Sequence, residues 1–320
     1  MNILFLILAF AATFFLVPAT IPLLKRLKFG QSIREEGPKS HQVKTGTPTM
    51  GGLTFLIPII ILTIAALFFV DDVSKMVVLL IVTIGFGLIG FLDDYIIVVK
   101  KHNTGLTSRQ KFLAQVIVSV IIYIIMLNFI PGISNSVHIP GTEFDIPLGF
   151  LFVVWIVFWQ VGFSNAVNLT DGLDGLATGL SVIAFSSFLA VTTALSESTV
   201  STFLCIIIGS LIGFLIHNKY PAKLFMGDTG SLALGGIIAT VSIMINNSLL
   251  LLIIGIVFVV ETLSVMIQVV SFKLTGKRIF KMTPIHHHFE LLGWSEWKIV
   301  TVFWLTGAVA GIIGVILGVM

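Results

Sequence analysis

The sequence has little charge for its length, because Asp, Glu, Lys and Arg make up only 10% of its 320 residues. A soluble domain carries about 25% of such residues, so this chain cannot cover a surface that faces water. Repeated apolar runs of about 20 residues predict helices that cross roughly 30 Å of hydrocarbon. Period-two alternation is absent from these runs, which makes a transmembrane β-barrel a poor fit.

Cysteine and clustered basic charge are also scarce. The one cysteine, Cys205, excludes an intrachain disulfide, and it is interpreted as a small buried hydrophobic residue. The net charge of +3 is spread over loop edges, so we expect no nucleic-acid partner. No Lys or Arg precedes the first apolar run, whereas Lys25 and Arg26 follow it. This order is the reverse of a secretory signal and predicts a retained helix with its N-terminus outside.

The apolar runs predict an all-α polytopic integral membrane protein that forms one domain over residues 1–320, with about ten transmembrane helices. We place these helices at roughly 2–24, 51–70, 75–92, 112–130, 148–165, 176–194, 200–216, 230–246, 248–270 and 298–319. With the N-terminus outside, every Lys and Arg except Lys75 falls in an inner, cytoplasmic loop. The outer segment 131–147 is rich in Pro, Gly and β-forming residues and predicts a small hairpin.

Two adjacent carboxylates, Asp93 and Asp94, stand at the inner end of the third predicted helix. Such a pair at a membrane edge is costly unless it is hydrated, paired with a cation or bound to a metal. Asp71 and Asp72 form the same dipeptide in an outer loop, where we assign no role. The position of Asp93 and Asp94 favours a functional site over an ordinary helix-end charge pair.

A second acidic motif is the inner segment 164–175, in which Asn165, Asn168, Asp171 and Asp174 recur every three residues. In a helix these side chains would share one face. The segment contains no Lys or Arg, so a cation, a bound sugar or base, or lysines from other loops must balance its carboxylates. The alternative is a polar helix cap, with Asp171 or Thr170 as the N-cap residue.

Asp228 lies in a Gly-Asp-Thr-Gly turn just before an apolar helix. It could cap that helix, or it could hold Mg²⁺ beside a phosphate at the helix N-terminus. Lys44 and Lys111 could likewise be phosphate ligands or simply anchors at the inner membrane edge.

Three consecutive histidines, His286, His287 and His288, lack the spacing of a helical zinc pair. They could instead donate hydrogen bonds to a pyrophosphate, or one could act as an acid or base. Glu261 lies inside an apolar helix with Gln268 on the same face. A carboxylate within the membrane is a functional candidate, although it could also brace neighbouring helices.

The ordered set of motifs closely resembles the polyprenyl-phosphate N-acetylhexosamine-1-phosphate transferases. The motifs are LDDY at 92–95, NAVNLTDGLDGLA at 165–177, FMGDTGS at 225–231 and PIHHHFE at 284–290. The blocks HQVKTGTPTMGG at 41–52 and MTPIHHHFELLGW at 282–294 are similar to the branch of this family that builds peptidoglycan. The resemblance covers essentially the whole chain.

The resemblance implies ten helices with both termini outside, in the bacterial cytoplasmic membrane, and an active site on the cytoplasmic face. It implies Mg²⁺-dependent transfer of phospho-MurNAc-pentapeptide from UDP-MurNAc-pentapeptide to the membrane lipid undecaprenyl phosphate. The products would be UMP and undecaprenyl-pyrophosphoryl-MurNAc-pentapeptide (lipid I), in the first membrane step of peptidoglycan synthesis. Members of the family generally assemble as homodimers.

The resemblance also implies roles for individual residues. The catalytic group would be Asp93, Asp94, Asp228 and His286, and the three aspartates would be metal ligands. Phe225 would stack on the uracil ring. The full set of implied substrate contacts is Lys44, Thr49, Lys111, Asn165, Asn168, Asp171, Asp174, Asn218, Phe225, Gln268, His287 and His288.

Two other classes of function remain open from the residues. A secondary transporter also places polar groups in broken helices, and Glu261 is the main feature in its favour. However, a transporter needs access from both sides, and the acidic groups here are predicted on one side. A related transferase that loads GlcNAc-1-phosphate onto the same lipid is the second alternative. Blocks 41–52 and 282–294 argue against it, by resemblance alone.

Overall fold

The computed structural model of the protein describes residues 1–26, 46–100, 105–130 and 132–320. The helices of this part of the chain are α1 (Asn2–Arg26), α2 (Gly52–Ala66), α3 (Val73–Lys100), α4 (Ser108–Phe129), α5 (Phe152–Thr170), α6 (Leu176–Ala194), α7 (Ser198–Asn218), α8 (Gly227–Met244), α9 (Leu250–Ile254), α10 (Ile256–Thr275), α11 (Ile285–Glu290) and α12 (Glu296–Val319). The 3₁₀ turn Gly149–Leu151 leads into α5.

The predicted fold class is confirmed. Within the described residues, nine helices are long and apolar enough to cross a membrane, and α2 is a shorter apolar helix. Each predicted span therefore contains a helix. The span predicted at 248–270 is two helices, however, because the chain bends at Gly255 between α9 and α10.

The burial pattern agrees with a membrane protein. Helix α8 is at the centre, and every residue from Thr229 to Met244 is buried. Large apolar side chains on the outer helices are instead exposed, as at Phe15 of α1, Ile117 of α4 and Ile312 of α12. An apolar exterior around a helical core is expected where lipid replaces water as the solvent. The chain is thus a multi-pass membrane protein.

The predicted hairpin is also present. Strands β1 (Ser136–His138) and β2 (Asp145–Pro147) pair antiparallel, with Val137 opposite Ile146. His138 Nδ1 lies 2.9 Å from an Asp145 carboxylate oxygen, and this contact links the two strands next to the turn that joins them. The first residue of the predicted segment, Pro131, lies outside the described residues.

Glycines allow two helices to touch the start of α8. A methyl group at Gly90 of α3 would overlap the Asp228 carbonyl oxygen, and one at Gly52 of α2 would overlap the backbone of Gly230. Backbones come this close only where side chains are absent. The start of α2 and the part of α3 around Gly90 are therefore held directly against the first turn of α8.

We expect Gly90→Ala to lower the free energy of unfolding by about 1–3 kcal/mol, because the added methyl group forces α3 away from α8. The measurement is thermal unfolding of the purified protein in one detergent. Gly162→Ala in α5 is the matched control, since a Cβ there meets nothing within 4 Å. Equal unfolding temperatures for the two variants would contradict the close packing of α3 on α8.

Candidate active site

The carboxylate of Asp94 closes the N-terminus of α8. Its Oδ1 accepts the backbone N–H of Asp228 at 3.2 Å, and its Oδ2 accepts the Thr229 N–H at 2.9 Å and the Thr229 hydroxyl at 2.6 Å. A helix N-terminus carries unpaired N–H groups and partial positive charge, so a carboxylate is favoured there. The cap thus comes from α3, and the prediction that Asp228 could cap its own helix is wrong.

Gly227 allows the chain to enter α8 around this carboxylate. Its φ is +73°, in the left-handed region that favours glycine, and a Cβ there would meet Asp94 Oδ2 and Thr49 Oγ1. Asp228 then falls in the first turn of α8, and its side chain makes its contacts with other helices.

Asp228 is bound by side chains from α4 and α5. Lys111 Nζ lies 2.5 Å from its Oδ2 and also 3.3 Å from Asp93 Oδ2, so this ammonium bridges two carboxylates. The amide of Asn168 donates to Asp228 Oδ1 at 2.7 Å. We refer to Asp93, Asp94, Lys111, Asn168 and Asp228 as the acidic centre.

The start of α4 explains how Lys111 reaches this position. Thr107 and Gln110 form a capping box, which begins the helix and places Lys111 in its first turn. The preceding residue, Leu106, donates its backbone N–H to Asp93 Oδ1 at 2.9 Å. Asp93 therefore fixes the turn before α4, and Lys111 in the first turn of α4 forms an ion pair with Asp93.

Asp171 borders the acidic centre. It follows Thr170, the last residue of α5, so the alternative that Asp171 or Thr170 begins a helix is wrong. The Asp171 carboxylate lies next to the Gly227 backbone N–H at the start of α8. Burial raises the pKa of Asp171 to about 7, with a further contribution from the negative charges of Asp228 and Asp94.

The segment before α2 also reaches the site. The Phe225 N–H donates to the Pro48 carbonyl, and the Phe225 carbonyl accepts the Gly51 N–H. Segments 48–52 and 225–226 therefore run side by side. This pairing places Thr49 beside Gly227, as noted above. Phe225 itself is half-buried. Lys44 lies outside the described residues.

The histidine block is connected to the acidic centre through Gly172. His286 is fully buried on α11, its Nδ1 lies 3.1 Å from Glu261 Oε1, and a Cβ at Gly172 would overlap its Nε2. Because Gly172 follows Asp171, the predicted catalytic histidine and the predicted carboxylates lie on two sides of one loop.

The other two histidines are held locally. His287 Nδ1 lies 2.6 Å from a carboxylate oxygen of Glu290, one turn away on α11. His288 Nδ1 accepts the backbone N–H of Lys281. The three imidazoles thus have different partners, although the ring centroids of His286 and His287 lie 4.1 Å apart.

Two predicted substrate contacts brace the loops beside the site. Asp174 accepts the Ala222 N–H at 2.9 Å, which ties the loop after α5 to the loop before α8. Asn218 donates to the Leu224 carbonyl and accepts the Thr178 hydroxyl at 2.6 Å. These bonds give both residues a structural role that the sequence did not reveal.

Asn165 and Gln268 lie farther along their helices and also have local partners. Asn165 donates to Gln115 of α4 at 3.0 Å. Gln268 accepts the N–H groups of Ile279 and Phe280, and so holds the turn after α10. Neither of these contacts reaches the acidic centre.

Three residues of this region were missed by sequence reasoning. Thr229 binds Asp94, and Ser231 accepts the Asn168 amide at 2.9 Å; both belong to the FMGDTGS motif, which was the available signal. Glu296 accepts the Asp174 N–H at 2.7 Å from the start of α12. No motif contains Glu296, so nothing in the sequence indicated it.

The acidic centre has the donor chemistry that Mg²⁺ requires. Asp93 and Asp228 supply carboxylate oxygens, the hard ligands that this ion prefers. Among the described residues, no three His, Cys, Asp or Glu side chains form a ready-made metal group. The Lys111 ammonium supplies positive charge between the two carboxylates. Asp93 and Asp228 are the residues of the acidic centre whose oxygens could hold a magnesium ion.

Comparison with known proteins identifies the class and then the family. A family model described as "Glycosyl transferase family 4" matches residues 76–246, more than half of the chain, so this membrane protein belongs to that class. The phospho-N-acetylmuramoyl-pentapeptide-transferases of Staphylococcus aureus strains JH9 and Newman are each 64% identical over 314 residues, 98% of this chain and 98% of each relative. The chain belongs to the phospho-N-acetylmuramoyl-pentapeptide-transferase family.

We expect Asp94→Asn to lower the free energy of unfolding by about 1–3 kcal/mol, because hydrogen bonds to a charged acceptor at the α8 N-terminus are lost. Asp72→Asn is the matched control. Asp72 accepts the Lys75 N–H at the start of α3, where Asn caps as well as Asp. Thermal unfolding compares the two, and an Asp94→Asn variant no less stable than the control would count against this cap.

Proposed function

We propose that this protein transfers phospho-MurNAc-pentapeptide from UDP-MurNAc-pentapeptide to undecaprenyl phosphate, and releases UMP. The observation that carries this proposal is the convergence of Asp93, Lys111, Asn168 and Asp228 at one end of the helix bundle, with His286 across an adjoining loop. Membership of the family favours this reaction over a transporter and over transfer of GlcNAc-1-phosphate. One domain, residues 1–320, contains all of these groups.

The charges of the acidic centre suit two anionic substrates. Lys111 and Asn168 are donors that can bind phosphate oxygens, and both already lie within hydrogen-bond distance of Asp228. Bound Mg²⁺, held by Asp228 and Asp93, would neutralise charge that develops on the UMP leaving group. Asp94 holds the backbone of Asp228 in place and acts through that positioning.

The reaction that we propose is direct attack. A phosphate oxygen of undecaprenyl phosphate forms a bond to the phosphorus attached to MurNAc, and the bond to the UMP oxygen breaks with its electron pair leaving on UMP. A phosphate monoester has a second pKa near 6, so the acceptor is mostly dianionic at neutral pH. The carboxylates then have little deprotonation to perform.

A covalent aspartyl-phosphate intermediate is the rival mechanism. Every carboxylate of the acidic centre already has a hydrogen bond or an ion pair at each of its two oxygens. Asp94 binds the start of α8, Asp93 binds Leu106 and Lys111, and Asp228 binds Asn168 and Lys111. Hydrogen bonds that stabilise a carboxylate reduce its tendency to attack phosphorus, which favours the direct route.

We place the acidic centre on the cytoplasmic face of the bacterial cytoplasmic membrane. In support, Lys25 at the end of α1 and Lys223 before α8 line one cavity of about 400 Å³, next to the loop that Asp174 holds. Lys75 is paired with Glu197 at the opposite end of the bundle. Basic residues concentrate on the cytoplasmic side of membrane proteins. The homodimer stays a prediction. The exposed apolar faces of the outer helices could be covered either by lipid or by a second copy of the chain.

The purified protein is expected to release UMP from UDP-MurNAc-pentapeptide only when undecaprenyl phosphate and Mg²⁺ are present, and EDTA is expected to stop the release. Asp228→Asn should lower kcat by at least about 100-fold, because it removes charge at the point where Lys111, Asn168 and Mg²⁺ meet. Chromatography of the nucleotide and lipid products measures both quantities.

Asp145→Asn in β2 is the control variant, since Asp145 is an exposed hairpin residue and should retain full activity. UDP-GlcNAc tests the alternative donor. Release of UMP from UDP-GlcNAc instead, or unchanged kcat in a folded Asp228→Asn variant, would overturn the substrate or the role of Asp228.

Direct attack predicts that enzyme and UDP-MurNAc-pentapeptide, mixed without lipid phosphate, give no burst of UMP. Rapid quenching within the first turnover measures the amount of UMP released per enzyme molecule. A burst equal to the enzyme concentration would instead require a covalent intermediate on the protein. The same mixture with undecaprenyl phosphate added serves as the positive control.

A further inference from the structure

Glu261 and His286 form a polar pair in the interior of the protein. Glu261 lies on α10 and His286 on α11, and both side chains are 0% exposed. Their contact, 3.1 Å between Oε1 and Nδ1, joins the intramembrane helix to the histidine block. Neither the acidic centre nor the proposed direct attack requires Glu261.

Each partner keeps one polar atom unused. Among the described residues, Glu261 Oε2 and His286 Nε2 have no hydrogen-bond partner. A buried polar atom without a partner is destabilising, and two apolar side chains would brace the helices at lower cost. A purely structural contact is therefore a poor account of this pair.

The free ring nitrogen lies against the loop that borders the acidic centre. Nε2 lies against Gly172, where any side chain would overlap the imidazole. Gly172 adjoins Asp171, whose carboxylate lies next to the Gly227 N–H at the start of α8. Since Nδ1 is occupied by Glu261, Nε2 is the nitrogen of His286 that is directed at the loop bordering the acidic centre.

We propose that Glu261 is a positioning residue: it accepts the Nδ1–H of His286 and thereby directs Nε2 to the anionic phosphates of the bound nucleotide sugar. The hydrogen bond at one ring nitrogen sets the protonation and direction of the other. A carboxylate partner also stabilises a positively charged imidazole, as in other carboxylate–histidine pairs. The substrate half of this proposal rests on the proposed function.

The first test is ¹⁵N NMR of the wild-type protein labelled at histidine, with the His286 signals assigned by their loss in His286→Gln. We expect Nδ1 to carry a proton. Addition of UDP-MurNAc-pentapeptide, without lipid phosphate, should shift the Nε2 signal more than the Nδ1 signal. An unprotonated Nδ1, or an Nε2 signal that substrate leaves unchanged, overturns the proposal.

The second test separates positioning from simple packing. Glu261→Gln keeps the shape of the side chain but removes its charge. It should lower kcat about 10- to 100-fold while KM for UDP-MurNAc-pentapeptide changes less than about threefold. Glu261→Asp keeps the charge and should retain more activity than Glu261→Gln. Thr262→Val, whose residue bonds only within α10, is the matched control and should match wild type.

A double-mutant cycle completes the test. If Glu261 acts through His286, Glu261→Gln should have little further effect in a His286→Gln background. Independent, multiplied losses would overturn the proposal, as would unchanged kcat in a folded Glu261→Gln variant. The NMR result for Nδ1 in the wild-type protein applies even where a Glu261 variant fails to fold. Absence of UMP release by wild type would refute the proposed function and leave that Nδ1 result to decide the role of Glu261.

Discussion

The site depends on the contact between the Asp94 carboxylate and the N-terminus of α8. The first N–H groups of a helix have no partner within it, and Asp94 supplies one from another helix. Asp94 belongs to α3, so the contact sets where α3 and α8 meet. Gly90 and Gly227 remove the side chains that would otherwise keep them apart. The position of Asp228, and with it the acidic centre, follows from this contact.

Around this contact, Asp93, Asp94 and Asp228 lie close together at one end of the helix bundle, and Lys111 is the cation that contacts Asp93 and Asp228. Lys111 neutralises part of their negative charge by binding Asp93 and Asp228. Burial, together with the negative charges of Asp228 and Asp94, raises the pKa of Asp171 to about 7. Under the proposed function, a divalent cation would balance the negative charge that remains. Glu261 and His286 lie on the other side of the Asp171–Gly172 loop.

The motifs predicted several of the residues that the structure brings together. Asp93, Asp94 and Asp228 do converge, and Lys111 and Asn168 join them. The alternative that Asp228 or Asp171 caps a helix is wrong, because that reading considered only residues next to the helix in the chain. The cap here comes from Asp94, 134 positions away from Asp228. Asp174 and Asn218 bind backbone groups of adjoining loops, which a residue pattern does not reveal.

The sequence by itself determined that the chain spans a membrane, where its helices lie and which short segments carry reactive side chains. Apolar run length and loop charge are local properties, so they can be counted along the chain. Tertiary structure alone decided which carboxylate caps α8, which cation bridges Asp93 and Asp228, and that Glu261 meets His286. Each of these contacts joins residues from different helices, and its geometry depends on how closely the backbones approach. That approach is set by packing at positions such as Gly90 and Gly172, whose role appears only when their neighbours are known.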